Sequence, residues 1–231
     1  MLLGSNAPMA EKQNTDAELR KYYAARAREY EKIYEKPERQ ENLRVLENVL
    51  PEMLAGRRVL EIACGTGYWT QFIAPRARSI LAADATTETL ALAQAKVLPP
   101  RVEFRVADAY RLAGDLGTFD GAFAGFWWSH VPTRDQPRFL ASLDRRLDPG
   151  AKVVLLDNVY VEGSSTPLSR RDEEGNTYQT RRLADGSEHD VLKNFPSEND
   201  LRKSVEGYGH HCQYLRLEFY WVFTYERRGS A

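Results

Sequence analysis

The stretch Val59-Leu60-Glu61-Ile62-Ala63-Cys64-Gly65-Thr66-Gly67-Tyr68-Trp69-Thr70 decides the fold. Arg58 to Ile62 is a short apolar run with an acid near its tip, and it reads as a strand. The run breaks at small residues and glycine, then resumes as a helical apolar run, Trp69 to Ala74. Strand, glycine turn and helix start in that order set backbone N–H groups and the positive end of a helix beside the strand's carboxyl end. Gly65 and Gly67 lack a Cβ and allow a ligand to approach the backbone closely.

The next predicted strand, Ser79 to Ala83, closes on Asp84. In doubly wound nucleotide-binding folds an acid at that position accepts hydrogen bonds from ribose hydroxyls. The dinucleotide fingerprint needs a third small residue three positions after the second glycine, and here that position is Thr70. The fit to a dehydrogenase is poor.

Glu61-x-Ala63-Cys64-Gly65-Thr66-Gly67 resembles the first motif of the class I S-adenosylmethionine (SAM) dependent methyltransferases. The resemblance continues in order through Asp84, Val106-Ala107-Asp108-Ala109, Phe119-Asp120-Gly121-Ala122-Phe123-Ala124 and Leu147-Asp148-Pro149-Gly150-Ala151. It covers about Leu43 to Glu226, apart from an insert at 161–195. It implies an α/β, Rossmann-like seven-stranded sheet of order 3-2-1-4-5-7-6, with strand 7 antiparallel and helices on both faces. A single domain over 1–231 is expected, with N-terminal helices (1–50) forming a lid and a β-hairpin cap at 161–195. The implied cofactor is SAM, giving S-adenosylhomocysteine. Its implied contacts are Tyr23, Tyr30, Glu61, Ala63, Gly65, Thr66, Gly67, Asp84, Ala85, Asp108, Ala109 and Phe126, with no metal.

A chain of 231 residues with net charge -1 suffices for one α/β domain, and offers no bulk attraction to nucleic acid or to an anionic membrane. A small-molecule acceptor is therefore expected, acting on a monomer or homodimer. Two cysteines, Cys64 and Cys212, form no disulfide framework. Met1 to Pro8 is too short for a signal peptide and no run is long enough to span a membrane, so a cytoplasmic location is expected.

Thr15 caps a predicted helix from Asp16 to about Lys36, followed by one from Glu38 to Leu50 that ends before Pro51. Aromatic residues at helical spacing in the first of these are either a packing face or a lid. A helix capped by Thr86 or Thr87 runs to about Lys96. The fourth strand, Phe119 to about Gly125, leads into Phe126-Trp127-Trp128-Ser129-His130-Val131-Pro132. These aromatics are either a cage for a sulfonium or planar acceptor, or core. His130 is the candidate general base, with a structural histidine as the other reading. A helix from about Thr133 to Leu147 precedes a fifth strand at Lys152 to Leu156. In the insert, two extended runs flank Ala184-Asp185-Gly186-Ser187 and read as a hairpin. Tyr178, Arg181, Arg182, His189 and Lys193 are its candidate acceptor contacts. Ser197 to Asp200 start a final helix by a capping box, and two strands, Cys212 to Phe219 and Trp221 to Arg227, close the chain.

Transfer from a sulfonium needs alignment and desolvation more than acid–base help. A base matters only for an acceptor that must lose a proton. The aromatic segment points to a flat aromatic or heteroaromatic O- or N-acceptor. Other readings are an aminopropyl transferase, a SAM-binding scaffold without turnover, and a methyltransferase acting on a macromolecule.

Overall fold

The structure is a computed structural model and describes residues 22, 24, 26–183 and 185–229. Its strands are β1 (Arg58–Ile62), β2 (Ser79–Asp84), β3 (Val102–Val106), β4 (Phe119–Gly125), β5 (Leu147–Asn158), β6 (Arg170–Arg171), β7 (Thr177–Arg182), β8 (Glu188–Leu192), β9 (Gly209–Arg216) and β10 (Tyr220–Arg227). Its α-helices are α1 (Gln40–Met53), α2 (Tyr68–Ile73), α3 (Thr87–Gln94), α4 (Gln136–Asp144) and α5 (Glu198–Val205).

The main sheet has the order β3-β2-β1-β4-β5-β10-β9. β1 to β5 pair in parallel and β10 runs antiparallel to β5, which is the expected topology once the insert strands are counted separately. The central strands are buried almost end to end, as a sheet covered on both faces requires. Their side chains alternate between two cores. Leu60 and Ile62 of β1 join α4 and α5 on one face, while Val59 faces α1 and α2 on the other. α1 places Leu43, Leu46 and Leu50 at helical spacing, each at most 2 % exposed. Each contributes roughly 1.5–3 kcal/mol by burial, which anchors this helix on the sheet.

Several boundaries move from their expected positions. The described part of the first helix tightens into a 3-10 helix over Ala27–Tyr34, and a second 3-10 turn covers Pro37–Arg39. α1 passes through Pro51 to Met53, because a proline in the last turn forfeits only one backbone bond and the leucine stripe continues to hold the helix. α3 stops at Gln94, two residues short of Lys96. α4 ends at Asp144, since Leu147 already pairs with Phe119 at the start of a longer β5. β9 begins at Gly209, earlier than expected.

The capping box at Ser197 and Asp200 is present, each side chain meeting the other's backbone N–H. The insert is a hairpin, β7 paired with β8 and extended by β6, with Arg182 opposite Glu188 across the Asp185-Gly186 turn. Among the described residues no helix is long and apolar enough to cross a membrane.

Candidate active site

The carboxyl ends of β1, β2 and β4 surround the site. After β1 the chain turns through Ala63 (φ 52°) and Gly65 (φ 55°), and Gly67 (φ 73°) precedes α2. Phe126, at the end of the neighbouring strand β4, also has φ 56°. Ala63 and Phe126 are therefore two non-glycine residues in the left-handed region at adjacent strand tips. Such conformations cost on the order of 1–3 kcal/mol each and cluster at functional sites. Cys64 N–H donates to Ala83 O and Gly67 N–H to Cys64 O, which ties the turn to β2. Burial, with Glu61 adding, pushes the Cys64 thiol well above its ordinary value, so it is a packing group and not a nucleophile.

Asp84 organises the turn. Its carboxylate accepts from Gly65 N–H (2.9 Å), Thr86 N–H (2.8 Å) and Thr89 Oγ1 (3.2 Å). Asp108 caps the turn after β3, accepting from Tyr110 N–H at 2.9 Å. Between these acids lies a largely apolar cavity of about 100 Å³, lined by Ala63, Gly65, Asp84, Ala85, Asp108, Ala109, Phe126 and His130 among the residues singled out from the sequence. A Cβ on Gly65 would meet nothing within 4 Å. The glycine leaves open a cradle that a side chain would fill. Trp127 also lines this cavity, and its indole N–H is buried without an acceptor.

Glu61 and Thr66 line a smaller adjoining cavity that shares Ala63 and Gly65 with the first. Burial, with Asp84 adding, raises Glu61 to about 8, although Thr70 Oγ1 donates to it at 2.8 Å. Thr66 donates to Glu31 (2.7 Å), which also pairs with Lys96. Gly67 lines neither space. Its position is set by packing, since a Cβ there would stand 3.1 Å from Ala93 Cβ. Tyr23 and the side chain of Tyr30 lie outside the described residues.

A second, polar cavity of about 390 Å³ adjoins the first, and Phe126 and His130 line both. Its other walls come from the N-terminal segment, the end of β5 and the hairpin. His130 is buried, and its Nδ1 lies 2.6 Å from the Leu192 carbonyl oxygen. The carbonyl only accepts, so Nδ1 carries the proton and Nε2 the lone pair of the neutral ring. Burial, then Lys193 and Arg181, holds its pKa well below the ordinary histidine value.

The hairpin is fixed to the segment after β4. Asn194 N–H donates to Ser129 O and Thr133 N–H to Asn176 Oδ1. Lys193 Nζ reaches Ser129 Oγ (2.6 Å) and Asp157 Oδ1 (2.8 Å). Of the expected acceptor contacts, Arg181, Arg182 and Lys193 line the second cavity; Tyr178 and His189 do not. Tyr178 stacks under Arg170 and bonds Asp172, while His189 lies against Tyr22 and Ser187. The two tryptophans divide between the expected readings, since Trp127 lines the first cavity and Trp128 does not. Trp128 is fully buried against Phe139, and Trp127 packs edge-on against Tyr110. Sequence reasoning missed Arg39, which is 8 % exposed on the wall of the second cavity. It also missed Tyr34, stacked on Tyr68 with ring centroids 3.6 Å apart.

Residues 59–150 match a family model described as a methyltransferase domain. The demethylmenaquinone methyltransferase of Lactiplantibacillus plantarum is 32 % identical over 112 residues, covering 46 % of this chain and 46 % of the relative. The chain spans about half the length of the curated relatives it matches. The solved complex of DhpI with SAH aligns with 94 % of this chain and 98 % of its own, at a TM-score of 0.77 and 26 % identity. The DhpI-SAM-HEP complex aligns at 0.75 and 25 %, covering 96 % of this chain and 99 % of its own. With the motif order, the sheet topology and the turn geometry described above, these likenesses show a methyltransferase domain at residues 59–150, within a chain that shares the fold of the DhpI complexes over nearly its whole length.

Proposed function

We propose that the chain transfers a methyl group from SAM, seated in the first cavity, to a small molecule seated in the second. The observation that carries this reading is the meeting of the two cavities at Phe126 and His130. SAM supplies, when bound, a methyl group on a sulfonium whose leaving group is already activated.

The lining of the first cavity fits that ligand. Apolar walls suit adenine, Asp108 and Ala109 flank its place, and Asp84 stands where ribose hydroxyls are received. Asp84 already serves three donors, but a carboxylate has about four lone-pair sites. Gly65 permits the close approach. Glu61 has the Thr70 hydroxyl as its hydrogen-bond partner instead of a cation, and an ammonium group on the ligand would draw its raised pKa back down.

In this reading His130 positions the wall between donor and acceptor, because its Nδ1–H is committed to Leu192 and its burial keeps it neutral. The scaffold alternative expects a closed acceptor site, and the second cavity speaks against it. Calorimetric titration with SAM, followed by an assay of S-adenosylhomocysteine release over a panel of small acceptors, tests the proposal. Binding with turnover is expected; absence of SAM binding would refute it, and binding without turnover on any acceptor would return the scaffold reading.

A further inference from the structure

The whole chain carries net charge -1, yet the second cavity concentrates positive charge. Seven of its lining residues are arginine or lysine and one, Glu29, is acidic. The cations arrive from separate places in the chain. Arg26, Lys32, Lys36 and Arg39 come from the N-terminal segment, and Arg181, Arg182 and Lys193 from the hairpin. Lys193 is neutralised by Asp157. Arg39 is not neutralised by any hydrogen bond it makes. Its Nη1 donates to Asn158 Oδ1 and its Nη2 to Ser164 Oγ, each at 3.2 Å, and its buried Nε has no acceptor. Phe219 and Tyr220 hold the guanidinium plane at 5.2 and 5.7 Å from their ring centres.

The guanidinium is nearly buried, its hydrogen-bond acceptors are neutral and one donor is orphaned, while Glu38, the carboxylate that feels its charge, is exposed and holds the same Ser164 hydroxyl without bonding the guanidinium itself; a ligand oxyanion would complete that pairing. A planar fork of donors matches an oxyacid group better than any neutral acceptor. Opposite it, Arg181 is steadied by Gln179 Oε1 at 2.9 Å, so cations face the space from both walls.

We propose that the acceptor is a small oxyanion, a phosphonate, phosphate or carboxylate, anchored by Arg39 and methylated on one of its own oxygens. The inference rests on SAM occupying the first cavity. An oxygen lone pair forms the new O–C bond while the methyl–sulfur bond breaks and its electron pair stays on sulfur. The oxyanion enters already deprotonated, so no proton has to leave and no base is required. This agrees with a His130 whose Nδ1–H is donated to Leu192 O. Trp127 and Trp128, from which a flat aromatic acceptor was anticipated, do not line the second cavity; its aromatic walls are Tyr22, Tyr34, Phe126, Phe195 and Tyr220.

The test measures binding of inorganic phosphate, ethylphosphonate and succinate by calorimetry with S-adenosylhomocysteine saturating. Methyl transfer from SAM to the same compounds, to their neutral diethyl esters and to simple phenols is followed by mass spectrometry. At least one oxyanion class should bind and yield its methyl ester, while neutral esters and phenols stay inert. Which class is methylated distinguishes phosphorus from carbon oxyacids. Arg39→Gln should weaken anion binding about 10- to 100-fold with homocysteine-product affinity unchanged, and Arg39→Lys should recover part of the loss. Arg181→Gln, on the opposite wall, should weaken it too, which guards against misfolding of one variant. Equal anion binding by wild type and both glutamine variants, or turnover of phenols in place of oxyanions, would overturn the proposal. Failure of S-adenosylhomocysteine itself to bind would instead overturn the reading of the first cavity.

Discussion

Lys193 Nζ lies 2.8 Å from Asp157 Oδ1, with both side chains at most 5 % exposed, and this pair joins the end of the hairpin to the end of β5. Burial pushes Asp157 up, but the Lys193 ammonium, its hydrogen bond and the Ser129 N–H outweigh it and hold the carboxyl below its ordinary value. Lys193→Met strands a buried carboxylate and should cost roughly 3–5 kcal/mol in urea denaturation. Lys193→Met combined with Asp157→Leu should recover much of that loss. Because Asp157 is depressed in the folded state, its contribution is present above pH 3.8 and lost as pH falls through its lower folded value. The penalty of the single variant should shrink over that acidic range.

Glu61 gives the opposite sign. Its folded pKa is raised from 4.5 to about 8. It therefore favours folding below pH 4.5, and that contribution disappears as pH rises to about 8. Glu61→Gln should lack this slope and make the ligand-free protein roughly 3–5 kcal/mol more stable than wild type at pH 9, while weakening SAM binding. Denaturation at pH 5 and pH 9, with SAM titrations beside it, checks both halves; identical slopes would remove the assignment.

The two loop glycines should separate stability from affinity. Gly67→Ala combines a left-handed backbone with a 3.1 Å approach to Ala93 and should lower the melting temperature. Gly65→Ala carries the backbone strain without a steric conflict, as nothing lies within 4 Å of its Cβ. It should cost only about 1 kcal/mol of stability but lose SAM affinity by more than Gly67→Ala does. The reverse ranking in calorimetry would show that Gly65 does not border the ligand.

If His130 positions the wall, the pH profile of kcat/KM should show no ionisation near its ordinary value of 6.5. His130→Ala leaves the Leu192 carbonyl without its donor and should destabilise the fold by about 1–3 kcal/mol, with a rate loss under about 100-fold. A larger loss, with an inflection that vanishes in the variant, would restore His130 as a base.

The lining of the first cavity was legible because its residues follow one another along the chain. Gly65, Asp84 and Asp108 lie at or just beyond the ends of β1, β2 and β3 and line the first cavity, so they announce themselves by local order. The acceptor half was hidden because Arg26, Arg39, Arg181 and Lys193 converge only through folding, and a chain-wide charge of -1 averages them away. The cage-or-core alternative for the tryptophans could not be decided from sequence for a related reason. Aromatic residues after a strand look alike whether they meet a ligand or, as Trp128 does, the α4 core. Element ends shifted where tertiary packing overrode local signals, as at Pro51, where the buried leucines of α1 outweigh a helix breaker.

The hairpin is bonded to the β4 exit through Asn194, Lys193 and Asn176, and the Leu192 carbonyl accepts a hydrogen bond from His130 Nδ1–H. Those links predict that segment 126–133 and strands β7 and β8 open as one cooperative unit, which amide exchange would show as matched protection in both strands and in the residues around His130. Release of that unit would open the second cavity and loosen the wall it shares with the first at Phe126 and His130 in a single event, so under the proposed reaction a common opening would govern the escape of both products.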